Sequence, residues 1–82
     1  MLEKHTIEIA KVHVPVKRVR TLEAAKVEAL ANDMLENGQT TPIRVRVDGD
    51  RYVLIEGLHR LEALRALGED TVDAYLAHAR LH

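Results

Sequence analysis

The chain has 82 residues, of which 46% are hydrophobic and 30% charged, and its formal net charge is −1. This composition predicts one soluble domain. No apolar run reaches the roughly 20 residues that span a bilayer, and no secretory leader is recognisable. We therefore expect a cytoplasmic protein without a membrane partner. The absence of cysteine excludes disulfides and thiol nucleophiles, and the near-neutral charge gives no general attraction to nucleic acid.

The first half of the chain predicts a strand followed by a helix. Residues 6–14 alternate between apolar and polar, but the alternation changes phase at Ala10, which predicts a bulge or bend there. Thr21 is a suitable N-cap for the first helix, and Glu23 suits the positive end of the helix dipole. The helix is therefore expected to begin just after Thr21 and to stop at Gly38.

A β-hairpin is predicted next. Residues 43–47 alternate with period two, so that one face is apolar and the other carries arginines. A tight turn at Gly49 then returns the chain as a second strand over residues 51–56. Because this second strand is apolar on both faces, we expect it to take a central place in the sheet.

The last part of the chain predicts a helix over residues 58–67, ended by Gly68, and a final strand over residues 71–77. A strand, a helix and a strand joined by short loops suggest a right-handed crossover between parallel strands. Residues 1–82 then form a single α/β (α+β) domain with element order β-α-β-β-α-β, a mixed sheet and two main helices.

The junction between the second hairpin strand and the following helix carries the clearest functional signal. Gly57 supplies a tight turn, and His59 and Arg60 lie in the first turn of the helix, where cationic side chains are unfavourable beside the helix dipole. A bound phosphate would explain them, because free backbone N–H groups, an imidazole and a guanidinium together suit an anion. The alternative is that both side chains face solvent and Arg60 pairs with a neighbouring glutamate; from these residues alone the two explanations are equally good.

Other charged residues give weaker signals. We interpret two basic clusters as solvated surface rather than as a DNA-contacting face, so that DNA is bound only weakly or through a partner. His78 and His82 have the spacing of helical metal ligands, but no third ligand lies at motif spacing, and we expect no metal site. The basic clusters consist of Lys17, Arg18 and Arg20, and of Arg44, Arg46 and Arg51.

Four segments carry a family resemblance: 14–20 (VPVKRVR), 26–30 (KVEAL), 36–43 (ENGQTTPI) and 57–63 (GLHRLEA). In this order and spacing they resemble the ParB/sulfiredoxin superfamily, specifically the small ParB N-terminal-like domain that is also called a ParB-like nuclease domain. The resemblance covers residues 9–77 and implies the same fold. Full partition proteins also carry a helix-turn-helix domain, which is not recognised in residues 1–82, so we do not expect operator binding by this chain alone.

The resemblance implies a nucleotide pocket that binds ATP or CTP, with or without magnesium. The matching turn is Gly-Glu-Arg-Arg in partition proteins, where it helps to hold CTP, and Gly-Cys-His-Arg in sulfiredoxins, where it holds ATP. Leu58 replaces the reactive cysteine, which excludes sulfiredoxin activity, and it also replaces the glutamate, which weakens the case for metal-assisted CTP hydrolysis. The chain departs from the family at Ala29 and Asp33, where hydroxyl residues often face the nucleotide. The implied nucleotide- or phosphate-binding residues are Gly57, Leu58, His59, Arg60, Lys26, Arg20, Gln39, Thr40 and Thr41.

Three functional hypotheses follow. The first is a binding module that holds a nucleotide or another phosphate ligand at the Gly57 turn. Ligand binding would switch either association with a protein partner or formation of a homodimer, in a DNA-related process. The second is an enzyme on the same fold, a metal-dependent nuclease, NTPase or phosphotransferase with Glu56 or Glu62 as base. The third is a degenerate dimerising scaffold with an empty pocket. Nucleotide titration separates the first two from the third, and metal-dependent turnover separates the second from the first.

Overall fold

The computed structural model describes residues 3–39 and 41–77, which form a five-stranded mixed sheet with two long helices. The predicted fold class is therefore confirmed. Besides the two predicted helices, these residues form two short helical turns that the sequence did not predict. The elements are β1 (Glu3–Glu8), a 3-10 turn (Ile9–Lys11), β2 (Val12–His13), α1 (Val16–Val19), α2 (Ala24–Asn37), β3 (Ile43–Asp48), β4 (Arg51–Glu56), α3 (Leu58–Ala66) and β5 (Thr71–Ala77).

The strands lie in the order β1-β5-β3-β4-β2. Strand β3 pairs antiparallel with β4 and parallel with β5, β1 pairs antiparallel with β5, and β2 pairs parallel with β4. Strand β4 is an interior strand, as expected, but the middle position belongs to β3. Burial agrees with this order: Ile43 and Val45 of β3 are at most 1% exposed, whereas in β4 Leu54 is buried and Tyr52 and Val53 are only half-buried.

The predicted right-handed crossover between parallel strands is wrong. Helix α3 does connect β4 to β5, but β3 lies between these two strands in the sheet. Because β3 is antiparallel to β4 and parallel to β5, the strands on either side of α3 run in opposite directions. The order of elements along the chain suggested a crossover, yet it contains no information about which strands pair.

The predicted first strand over residues 6–14 is divided into two strands. The 3-10 turn separates β1, which pairs with β5 at one edge of the sheet, from β2, which pairs with β4 at the opposite edge. The phase change at Ala10, predicted as a bulge or bend, is thus the point at which the chain crosses from one edge to the other. Ile7, Ile9 and Val12 are all buried, and a helical turn is what brings residues 9 and 12, three apart, to the same side.

Helix α2 begins later than predicted, at Ala24, and the prediction that Thr21 is its N-cap is wrong. The Thr21 hydroxyl instead donates a hydrogen bond to the Arg18 carbonyl oxygen at 2.7 Å, so it closes the turn that follows α1. The predicted stops are confirmed: Gly38 and Gly68 both have positive φ, of 70° and 78°, at the ends of α2 and α3.

The sheet and both long helices share one hydrophobic core, to which α2 contributes Met34 and α3 contributes Leu61 and Leu64. Helices α2 and α3 also pack against each other. Among residues 3–39 and 41–77, none of the helices has the length and apolar character needed to cross a bilayer. This arrangement places the N-terminal ends of both long helices close together, because His59 of α3 contacts Glu23, the residue that precedes α2.

Candidate functional site

The predicted turn at Gly57 is a sterically constrained glycine. Its φ is 105°, and a Cβ atom at this position would lie 2.7 Å from Cγ2 and 2.9 Å from Cβ of Ile43. The Gly57 carbonyl accepts the first hydrogen bond of α3, from the Leu61 N–H at 2.9 Å. The N–H groups of the three residues before Leu61 therefore precede the first bond of the helix and have no acceptor within it. Gly57 lets the end of β4, the start of β3 and the N-terminus of α3 meet in one place.

A cleft of about 510 Å³ opens in front of this turn. Its walls come from α1 and the segment after it, from the first half of α2, and from the first turn of α3. Three cationic side chains line it, and no acidic side chain does so among the described residues. The cleft can therefore attract an anion at its polar end while Ala29 and Leu30 offer an apolar wall. The lining residues are Arg18, Thr21, Lys26, Ala29, Leu30, Gly57, Leu58, His59 and Arg60.

His59 contributes to the cleft while also holding α2. Its Nε2 atom accepts a hydrogen bond from the Glu23 backbone N–H at 3.1 Å. Glu23 is the N-cap residue of α2, and its own side chain makes no capping bond. The imidazole thus accepts from the N–H of the N-cap residue itself, the group that the carboxylate at N3 binds in a capping box, and an Nε2 atom that accepts a hydrogen bond carries no proton.

Lys26 lines the cleft and is paired at its rim with Glu23. The Lys26 Nζ atom lies 2.7 Å from the Glu23 carboxylate, and both side chains are largely exposed. The Lys26 ammonium, through its hydrogen bond and its charge, lowers the pKa of Glu23. Sequence reasoning placed Glu23 only as a helix-dipole residue and did not find its contacts with Lys26 and His59.

Arg60 lies between two cavities. Besides the cleft, it lines a smaller cavity of about 170 Å³ that also borders Gly57, Thr41 and Tyr75. Its side chain is half-buried, and within residues 3–39 and 41–77 its guanidinium has no ion-pair partner. The alternative in which Arg60 merely pairs with a neighbouring glutamate therefore has no support in the described structure.

Several residues of the predicted site lie elsewhere or have other contacts. Arg20 is exposed and lines neither cavity, whereas Arg18, which the sequence did not single out for the site, lines the cleft. The Gln39 side chain accepts a hydrogen bond from the Asp73 N–H at 2.8 Å and donates to the Asp73 carbonyl at 3.0 Å, so its amide ties the loop after α2 to β5. Thr40 lies outside the described residues.

Among the described residues, the two candidate bases line different cavities. Glu56 borders the smaller cavity beside Arg60 and pairs with Arg44 at 3.2 Å. Glu62 pairs with Arg65 at 3.3 Å and lines grooves on other parts of the surface. In the described part of the chain, no group of three or more histidine or carboxylate side chains is placed to hold a metal ion. The predicted pair at His78 and His82 lies outside the described residues.

Fold and cleft together define a small α/β domain in which a glycine turn and a basic cleft meet at the N-terminus of a helix. The family model of the ParB N-terminal domain matches residues 2–80. The chain therefore belongs to the ParB N-terminal domain family. Comparison with curated protein sequences gives no match.

Solved structures share this fold. Sulfiredoxin from Arabidopsis thaliana is 26% identical with a TM-score of 0.85, and the match covers 94% of this chain and 86% of that one. C-terminally truncated ParB from Caulobacter crescentus, complexed with CTP-γ-S, is 23% identical with a TM-score of 0.82, over 95% of this chain and 46% of that one. Free serine kinase in complex with AMP is 21% identical with a TM-score of 0.76, and the match covers 93% of this chain and 31% of that one. The identities of the last two show a common fold only.

Proposed function

We propose that this chain is a nucleotide-binding module that holds the phosphates of ATP or CTP in the cleft and thereby switches association with a protein partner or a second copy. The observation that carries the proposal is the convergence of Arg18, Lys26 and Arg60 on one cleft, in front of the free N–H groups of α3 and without an acidic lining residue among those described. The ligands of two structural neighbours, CTP-γ-S and AMP, support a nucleotide as the ligand class. We place this activity in the cytoplasm, in a DNA-related process in which DNA is reached weakly or through the partner.

In this proposal, each wall of the cleft contacts a different part of the nucleotide. The N–H groups at the start of α3 and the Arg60 guanidinium bind phosphate oxygens, with the guanidinium able to do so bidentately. Lys26 and Arg18 supply further positive charge, and the apolar side chains of Ala29 and Leu30 face the sugar or base. Because no carboxylate lines the described cleft, a magnesium ion would be held by phosphate oxygens and water rather than by a protein cage.

A second candidate function is phosphoryl transfer, with Glu56 as base. One observation favours Glu56 over Glu62: it borders the smaller cavity that shares Gly57 and Arg60 with the cleft. A hydroxyl-bearing acceptor in that cavity would lie on the other side of Arg60 from the phosphates. Nucleotide turnover that requires magnesium and is lost in Glu56→Gln would favour this function over simple binding.

The test is an amide-shift NMR titration of the labelled chain with ATP, CTP, GTP and ADP, with and without magnesium. Arg60→Ala should weaken nucleotide binding by about 1.5–3 kcal/mol, the cost of a lost charge-assisted contact, and should keep the fold. Arg46→Ala is the matched control, because Arg46 is exposed on β3 and lines neither the cleft nor the smaller cavity. Shifts at residues 57–61 and at Lys26 that disappear only in Arg60→Ala support the proposal. Equal binding by both variants, or no shifts at millimolar nucleotide, contradicts it.

A further inference from the structure

Glu23 lies at the rim of the cleft and contacts two of the residues that line it. Its carboxylate is 2.7 Å from the Lys26 ammonium, and its backbone N–H donates to Nε2 of His59 at 3.1 Å. In the part of the chain that the structure describes, it is the only acidic residue bonded to a side chain of the cleft. One of the three lining cations is therefore already paired with an anion that belongs to the protein itself.

We propose that Glu23 is a resident counter-ion of the cleft, which an incoming phosphate must displace from Lys26. This inference rests on the proposed function, because it assigns Glu23 an effect on anion affinity at the same site. The pair is exposed, with 63% of the Lys26 side chain and 58% of the Glu23 side chain accessible. Such a pair is weak enough to be broken by a more highly charged ligand and does not block the cleft.

The charge of the ligand determines how strongly Glu23 opposes it. The repulsion from a fixed carboxylate grows in proportion to the negative charge of the ligand. Magnesium cancels part of the charge of a nucleoside triphosphate, so the magnesium complex is opposed less than the free nucleotide. Glu23 therefore acts as a specificity residue that shifts the preference of the cleft toward the magnesium-bound form of its ligand.

Neutralising the carboxylate should tighten binding. An exposed ion pair is worth up to about a factor of five in an equilibrium constant. Glu23→Gln should thus bind magnesium-free ATP or CTP about five-fold more tightly than the wild type and the magnesium complexes about two-fold more tightly. The substitution keeps the backbone N–H that His59 accepts, so the contact between α2 and α3 remains. Glu28→Gln is the matched control, since it makes the same charge change on α2 at a residue that lines a different groove.

The experiment is calorimetric titration of the full chain with ATP and with CTP, with and without magnesium, for the wild type and the two glutamine variants. Tighter binding by Glu23→Gln than by Glu28→Gln, with the larger gain for free nucleotide, supports the inference. Wild-type binding that Glu23→Gln leaves unchanged or weakens overturns the inference and leaves the proposed function standing. Absence of binding by wild type and variants alike overturns both.

A double-mutant cycle with Lys26→Gln separates competition for Lys26 from a structural role of Glu23. If Glu23 acts by occupying Lys26, removing its charge in the Lys26→Gln background should raise the nucleotide affinity by less than about two-fold. This remaining gain comes only from the loss of long-range repulsion. An unchanged five-fold gain in that background would overturn the displacement step. Glu23→Asp, which keeps the charge, should restore the wild-type preference for the magnesium complex, and this arm stays informative if the glutamine variant folds poorly.

Discussion

Alanine at Gly57 places a methyl group where the core leaves no space. The added Cβ would lie 2.7 Å from Cγ2, 2.9 Å from Cβ and 3.1 Å from Cα of Ile43. Ile43 is 1% exposed and sits in the central strand, so neither its side chain nor its backbone can move away without disturbing the sheet. The φ of 105° adds a second cost, because residues with a Cβ avoid this region.

Both costs can be put in numbers. The left-handed conformation costs an alanine about 1–2 kcal/mol, and overpacking a filled core costs about 1–3 kcal/mol more. Gly57→Ala should therefore lower the free energy of unfolding by about 2–5 kcal/mol, a large part of the total of roughly 4–12 kcal/mol expected for a domain of this length. At about 4–8 °C per kcal/mol, the midpoint of thermal unfolding should fall by about 8–40 °C.

Gly49→Ala separates the two costs. Gly49 has a positive φ of 62° in the β3–β4 hairpin, but a Cβ there would meet nothing within 4 Å. This variant should lower the free energy of unfolding only by the cost of the left-handed conformation, about 1–2 kcal/mol. Urea and thermal denaturation followed by circular dichroism measure both variants. Equal destabilisation by the two alanines would refute the argument that contact with Ile43 makes Gly57 irreplaceable.

Two further predictions concern contacts around the site. Gln39→Ala removes the three hydrogen bonds that join the loop after α2 to Asp73 and to Thr41, and should lower the free energy of unfolding by about 1–3 kcal/mol. Thr6→Ala loses one exposed hydrogen bond to the Asp73 side chain and should lower the free energy of unfolding, measured by urea denaturation, clearly less than Gln39→Ala does. Equal decreases for the two variants would contradict a structural role for Gln39. Because Lys26 lowers the pKa of Glu23 from an ordinary value of 4.5, this carboxylate stabilises the fold above that pH and loses its effect as the pH falls through the lowered pKa. Glu23→Gln should therefore flatten the acid side of the stability profile. Glu28→Gln, at a residue that forms no ion pair within residues 3–39 and 41–77, should not, and identical profiles for both variants would contradict the assignment.

The sequence predicts those parts of the fold that depend on near neighbours. An apolar run, Gly57 and a helix-forming segment lie within about 15 consecutive residues, so the strand, the turn and α3 are all predictable from local pattern. Gly38 and Gly68 end their helices for an equally local reason, since each takes the positive φ that closes a helix. The helix stops and the candidate turn could therefore be placed without knowing which strands pair.

The remaining features depend on contacts between distant residues. Strands β1 and β2 follow each other in the sequence but pair at opposite edges of the sheet, and nothing in residues 3–13 specifies these partners. Arg18 and Arg20 are both arginines of one basic cluster, but Arg18, in the short helix α1, lines the cleft and Arg20, which follows this helix, does not. The bond between Glu23 and His59 joins residues 36 positions apart. Sequence pattern therefore found a basic turn but not the residues that complete the cleft around it.

The contact between Glu23 and His59 also removes the difficulty of placing a histidine at the start of a helix. A protonated imidazole would be opposed by the positive end of α3, but this ring accepts a hydrogen bond at Nε2 and in its neutral form carries its proton on Nδ1. Nδ1–H is then the donor that the neutral ring keeps, while Nε2 accepts from the Glu23 N–H. The backbone N–H of Glu23 thus contacts His59 and its carboxylate contacts Lys26, so that one residue outside the cleft bonds two residues that line it.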